Sequence, residues 1–174
     1  MSSGCENDLP EISDWGDWLA RHAAGFLLFA RQQARCEADA QDLVQDAVVE
    51  GWRNRPPGAP PPQPALVFAT IRRRAVDLAR RNSRRSNREA AANLEAPQRW
   101  FDCEVEDRER VRLLQEAMNR LPEIYRAVVT LKVWGGLTFA EIGLALEIPA
   151  NTASSRYRYG LIELRKWTKE VLHD

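Results

Sequence analysis

Very little in this 174-residue chain is suited to covalent chemistry. Its only histidines are His22 and His173, no glycine-rich phosphate loop occurs, and no nucleophile–base pair stands at a telling spacing, so a catalytic centre is not expected. Cys5, Cys36 and Cys103 are odd in number and scattered, without a C-x-x-C pair. Neither a disulfide framework nor a zinc site is indicated, which fits a reducing cytoplasm. The one conspicuous apolar run, Ala23 to Ala30, is far too short to span a bilayer. The first residues are acidic, with no basic n-region, so no secretory signal is expected. No segment alternates apolar and polar residues at period two, which removes the signature of half-buried strands. These absences predict an all-α, cytoplasmic protein with no catalytic group, metal, cofactor or membrane association.

What the chain has in quantity is charge, unevenly placed. Lysine plus arginine and aspartate plus glutamate each number 25. Residues 1–20 nevertheless carry only acids (Glu6, Asp8, Glu11, Asp14 and Asp17), while Arg72 to Arg88 holds eight arginines against the single acid Asp77. The stretch Glu89 to Asp107 turns acidic again. A zero net charge thus hides one concentrated basic surface, the footprint of a nucleic-acid binder. An ordinary solvated helix face is the competing reading.

Helical periodicity organises the rest. Residues 14–35 predict a helix with Trp15, Trp18, Leu19, Phe26, Leu27 and Phe29 inward, and Asp39 to Arg53 a second. In the second, Leu43, Val44, Ala47, Val48, Gly51 and Trp52 form the apolar side, and Asp42, Gln45, Asp46 and Glu50 an exposed acidic ridge. PPGAPPPQP at 56–64 must be an extended, stiff loop. A long helix from Pro64 to about Arg85 turns Val67, Ile71, Ala75 and Leu78 inward and surrounds them with arginines. Residues 88–105 lack periodicity and read as a linker between one helical module at 1–87 and another at 106–174. Further helices are expected over Glu104 to Arg120 and Glu123 to Trp134, the latter with Pro122 at its first position and Gly135-Gly136 at its end.

The stretch Leu137 to Leu164 carries the sharpest local signal. Thr138 and Glu141 form a T-x-x-E capping box, Ile148-Pro149 stops the first helix, and Asn151 is a suitable N-cap for the next. In that second helix Ala153, Tyr157, Gly160, Leu161, Leu164, Trp167 and Val171 share one face. Asn151, Ser154, Ser155, Arg158, Ile162, Arg165 and Lys166 lie opposite, with Arg156 and Tyr159 at the flanks. Two short helices, the second presenting hydroxyls and guanidiniums, make a helix-turn-helix. A plain αα-hairpin remains the bland alternative.

Together these residues resemble the extracytoplasmic-function (ECF) group of the sigma-70 family. An A-x-D-L-V-Q-[DE] segment typical of region 2 appears as Ala40 to Asp46, FATIRRRAVDLARR resembles the helix that ends region 2, and Leu121 to Trp167 resembles region 4. In the last, Leu121, Pro122, Arg126, Val128, Leu137, Thr138, Phe139, Glu141, Ile142, Ile148, Pro149, Thr152, Ser155 and Arg156 meet the family pattern. The resemblance implies a factor that binds core RNA polymerase and directs it to promoters. Region 2 would recognise and melt the downstream (−10) element and region 4 read the upstream (−35) element. Polymerase contacts would fall on Asp42, Gln45, Asp46 and Glu50 for the β′ clamp helices, with the β flap a further contact.

DNA contacts would come from Arg72, Arg73, Arg74, Arg80, Arg81, Arg84 and Arg85, and from Asn151, Thr152, Ser154, Ser155, Arg156, Arg158, Tyr159, Arg165 and Lys166. An anti-sigma protein is a further implied partner. A linker of about 20 residues extends to roughly 66 Å, close to two duplex turns of roughly 70 Å. Three departures stand out. The proline-rich loop replaces the family's base-capturing loop, so its readout cannot be carried over. Arg73 stands where asparagine is frequent, and Ser154 where lysine is frequent. A helix-turn-helix regulator that does not itself initiate is the alternative, but it would need neither the acidic ridge nor the basic helix.

Overall fold

The computed structural model describes residues 12–86, 100 and 108–171. Among them are seven α-helices and no strand. They are α1 (Ile12–Gln33), α2 (Glu37–Arg53), α3 (Pro64–Ser86), α4 (Arg108–Arg120), α5 (Glu123–Val133), α6 (Phe139–Leu146) and α7 (Ala150–Val171).

Local chemistry explains most boundaries. α2 begins two residues earlier than the apolar pattern suggests, because Cys36 serves as N-cap, its Sγ accepting from the Asp39 amide at 3.5 Å. Glu37 and Asp39 then sit in the first turn, where the helix dipole favours anions. Pro122 is the N-cap of α5 rather than its first helical residue, with ψ 140°. Asn151 is likewise not an N-cap. The Pro149 carbonyl accepts from the Ala153 amide at 3.0 Å, so the cap position falls on Pro149 and Asn151 lies inside the first turn of α7. The capping box of α6 is complete: Thr138 Oγ1 accepts from the Glu141 amide, and a Glu141 carboxylate oxygen accepts from the Thr138 amide at 2.7 Å. Glu147 closes α6 in the left-handed region at φ 56°. Gly143 permits the tight turn that follows, since a Cβ there would lie 2.7 Å from the Ile148 carbonyl oxygen.

α1, α2 and α3 pack on one another around Phe26, Phe29, Phe68 and Ile71, all fully buried. The Phe68 ring meets Phe26 at 4.8 Å and Phe29 at 5.5 Å between centroids, in edge-to-face arrangements. The helices of the C-terminal half do not stand apart. Val128, Leu131, Leu137, Ile142, Ala145 and Leu146 belong to the same continuous core, with α3 against α6 and α1 against α5. At the seam, Arg72 Nη1 donates to the Leu146 carbonyl at 2.6 Å, and Gln32 Nε2 to Thr130 Oγ1 at 2.9 Å. α1 is therefore covered from two sides. Leu28, on the face turned from α2 and α3, is buried with Trp100, Met118, Leu121 and Val129 in a second cluster, whereas Leu19, read as core, is exposed.

Trp100 is buried although the sequence around it has no helical periodicity. It is 8% exposed, its ring lies 4.9 Å from the Arg126 guanidinium, and its carbonyl accepts from Arg31 Nη1 at 2.9 Å. Arg31 is itself buried, and a buried charge is costly unless paired. Glu37 supplies the partner through two hydrogen bonds at 2.8 and 2.9 Å. Pro97 and Phe101 of the expected linker, and Val105 of the expected α4, lie outside the described residues.

Candidate nucleic-acid interface

The first surface is the N-terminal half of α7. Ala153, Gly160 and Trp167 are buried, and this fixes the rotation of the helix. Asn151, Ser154, Arg158 and Tyr159 then face solvent, as do Arg165 and Lys166, while Thr152, Ser155 and Arg156 are half-buried. Arg158 sits 5.6 Å from the Tyr159 ring centroid, which holds both side chains to one patch. Lys166 pairs with Glu163 at 2.7 Å. Leu161, expected inward, is exposed. Against the first turns of α7 lies a concavity of about 350 Å³ lined by Ile124, Tyr125, Asn151, Thr152, Ser155, Arg156 and Tyr159.

The second surface joins α2 and α3, and here the predicted sites merge. Asp42, Gln45 and Asp46 are exposed on α2, but the ridge does not stand clear of the basic helix. Arg74 Nη1 pairs with Asp46 at 2.7 Å, Arg74 Nη2 with Glu50 at 2.7 Å, and Arg73 Nη2 with Glu50 at 2.6 Å. Glu50 is only half exposed, and the Arg74 hydrogen bond holds its carboxyl below the usual carboxylate range. Arg72 is turned to the Leu146 carbonyl. Arg80 and Arg81 are exposed, Arg80 lying 3.9 Å from Asp77. Arg84 and Arg85 fall in the last turns of α3, and their side chains lie outside the described residues.

A third feature was not legible as a site. Trp52, assigned to the apolar side of α2, is 63% exposed. It lines an apolar groove of about 800 Å³ with Trp15, Val48, Val49, Arg53 and Arg55, closed by Pro56 to Ala59 of the proline-rich loop. Its lining offers two indoles and two guanidiniums, groups on which a flat ring can stack. The one available signal was the W-R-x-R run at 52–55, directly before the prolines.

Comparison with known proteins resolves what these surfaces belong to. Residues 15–85 match the family model for sigma-70 region 2, and residues 112–164 the model for sigma-70 region 4. The ECF RNA polymerase sigma factor SigK of Mycobacterium ulcerans is 31% identical over 135 residues, which is 72% of this chain and 70% of that protein. The chain belongs to the sigma-70 family, in its ECF group.

SigL of Mycobacterium tuberculosis, another ECF RNA polymerase sigma factor, is 26% identical over 152 residues, 86% of either chain. The fold is also that of solved sigma factors. RpoE of Bartonella quintana, crystallised with the anti-sigma factor NepR, matches with a TM-score of 0.65 at 19% identity, covering 91% of this chain and 98% of that one. CnrH, solved with the cytosolic domain of CnrY, gives 0.61 at 19%, covering 92% and 91%. This ECF sigma factor directs promoter-specific transcription, and the regulator that does not initiate is not favoured, since region 2 is present beside region 4. Among the described residues no helix is long and apolar enough to cross a membrane.

Proposed function

We propose that this sigma factor holds core polymerase through the exposed carboxylates of α2 and reads the upstream promoter element with α7. α3 and the Trp52 groove serve the downstream element. The rotation of α7 carries the reading, with Ala153, Gly160 and Trp167 buried and Asn151, Ser154, Arg158 and Tyr159 outward. Arg158 is the residue for base edges, since arginine to guanine is the commonest specific pairing. Half-buried Arg156 suits a backbone phosphate. Arg80, Arg81, Arg84 and Arg85 act on phosphates of the downstream duplex, and the Trp52 groove stacks an unpaired base of the melted strand.

The module seam bears on this reading. Two elements roughly 70 Å apart cannot both be occupied while Arg72 bonds the Leu146 carbonyl at 2.6 Å, so α3 and α6 part when the factor works. The partners of this state are the β′ clamp helices, the β flap and promoter DNA, in the cytoplasm. An anti-sigma protein would act by holding the modules together. The test is charge reversal at Asp42→Arg with Gln45→Arg, both exposed and, among the described residues, outside any ion pair. Asp46 is left untouched because it holds Arg74. Co-purification with core polymerase should be lost while helicity by circular dichroism stays native. Unchanged polymerase binding removes the ridge from the proposal.

A further inference from the structure

The carboxylates assigned to polymerase and the guanidiniums assigned to DNA are, in this structure, each other's partners. We infer that capture of polymerase and contact with DNA are coupled by exchange at Glu50 and Asp46. Cations of the polymerase that take these two carboxylates release Arg73 and Arg74 to phosphates. The inference rests on the ridge reading above and adds to it a mechanism and a role for Glu50, which becomes a positioning residue for the basic helix.

The geometry is specific. Arg73 and Arg74 are consecutive on α3, so their side chains leave the helix about 100° apart. Yet both reach back to the one carboxylate of Glu50, one to each oxygen, at 2.6 and 2.7 Å. Arg74 spans further to Asp46 at 2.7 Å. Two positive and two negative charges thus form a closed set with no net charge at the centre of the basic helix. The backbones beneath are fixed, because Leu43 and Ala47 of α2 and Ile71 and Ala75 of α3 are buried in the shared core. Only the side chains can change partner.

They are placed to do so. Arg73 and Asp46 are each 61% exposed at the side chain, Arg74 36% and Glu50 28%. Ion pairs this accessible to water are weak and exchange readily. A phosphate offers an arginine the same fork of acceptors as a carboxylate, so the exchange loses no hydrogen bonds. By linkage the coupling is reciprocal: DNA that draws Arg73 and Arg74 outward leaves Glu50 and Asp46 bare for the polymerase.

The test uses the full chain without polymerase and a labelled duplex of arbitrary sequence, with binding followed by anisotropy across a salt series. Glu50→Gln should raise affinity about three- to tenfold at low salt and steepen log K against log salt by about one unit, as one or two arginines become available. The same substitution in an Arg73→Ala, Arg74→Ala background should do nothing. A gain that persists there is the loss of a repelling charge and overturns the exchange, as does no gain in the parent chain. Glu50→Asp, which keeps the charge, should bind like the parent. Should Glu50→Gln lose its helicity, Asp46→Asn opens the other half of the Arg74 pair and is judged by the same cycle. The polymerase reading fails separately. If Asp42→Arg with Gln45→Arg leaves polymerase binding intact, the ridge is not the polymerase site and the coupling falls with it, whatever Glu50→Gln does to DNA affinity. If that reversal abolishes polymerase binding and Glu50→Gln changes nothing, only the exchange is wrong.

Discussion

Replacing Trp100 with alanine measures how firmly the two halves of the molecule are joined. The indole is 8% exposed and buried in one cluster with Leu28 of α1, Met118 of α4, Leu121 of the turn after α4 and Val129 of α5. Truncating a buried tryptophan costs about 3–5 kcal/mol, against a total stability of about 5–15 kcal/mol for a typical domain. The Arg126 guanidinium, 4.9 Å from the ring centroid, loses its stacking partner as well. The hydrogen bond from Arg31 goes to the Trp100 backbone carbonyl and survives in principle, so the figure measures packing. In a chain of this size each kcal/mol lowers the melting temperature by about 2–4 °C, which gives a fall of roughly 6–20 °C. Melting is best followed by ellipticity and by tryptophan fluorescence together, because a shared core unfolds as one unit and the two probes should coincide. A loss under about 1 kcal/mol refutes the argument that Trp100 is wedged between the halves. Two separate transitions, only one of them shifted, refute the shared core itself.

Arg158→Ala should relax preference at one or two upstream base pairs by roughly tenfold, within the range of about 1–3 kcal/mol for a bidentate contact, whereas Arg156→Ala lowers affinity for all upstream sequences alike. Selection from a randomised upstream element with each variant checks this, and swapped phenotypes mean the rotation of α7 on DNA is wrong. The Glu141 carboxyl is held below its ordinary value chiefly by the Thr138 amide. Its cap therefore stabilises α6 above the unfolded value of about 4.3 and fades as pH falls through the lower folded value. Glu141→Ala should cost about 1 kcal/mol at neutral pH, and the penalty should shrink on acidification below about pH 4; denaturant titrations at neutral and acid pH show it, and a constant penalty contradicts the role given to the Glu141 carboxylate.

What could be read from the residues was what depends on near neighbours. The Thr138–Glu141 box, the breaks at Pro122 and Pro149 and the inward set Val67, Ile71 and Ala75 all follow from contacts within one or two turns, and the structure shows them. Asn151 misled because a good capping side chain stood two places after a proline whose carbonyl takes the first helical bond. Leu19 and Leu161 misled for another reason: periodicity finds a face but not how much of it a neighbour covers. Trp100 was invisible, since its partners come from α1, α4 and α5 and no repeat surrounds it. The Glu50–Arg74 pair crosses 24 positions, so the acidic ridge and the basic helix read as two sites where the fold builds one.

Gly25 gives the seam a consequence of its own. It lies inside α1, where glycine costs about 1 kcal/mol relative to alanine, and a Cβ there would come within 2.8 Å of the Trp134 carbonyl oxygen. A methyl group at this position would strengthen the helix on its own and wedge the seam apart, so its effect has opposite signs in the joined and separated molecule. If the halves part as proposed, the missing side chain sets the balance between those two shapes from within α1.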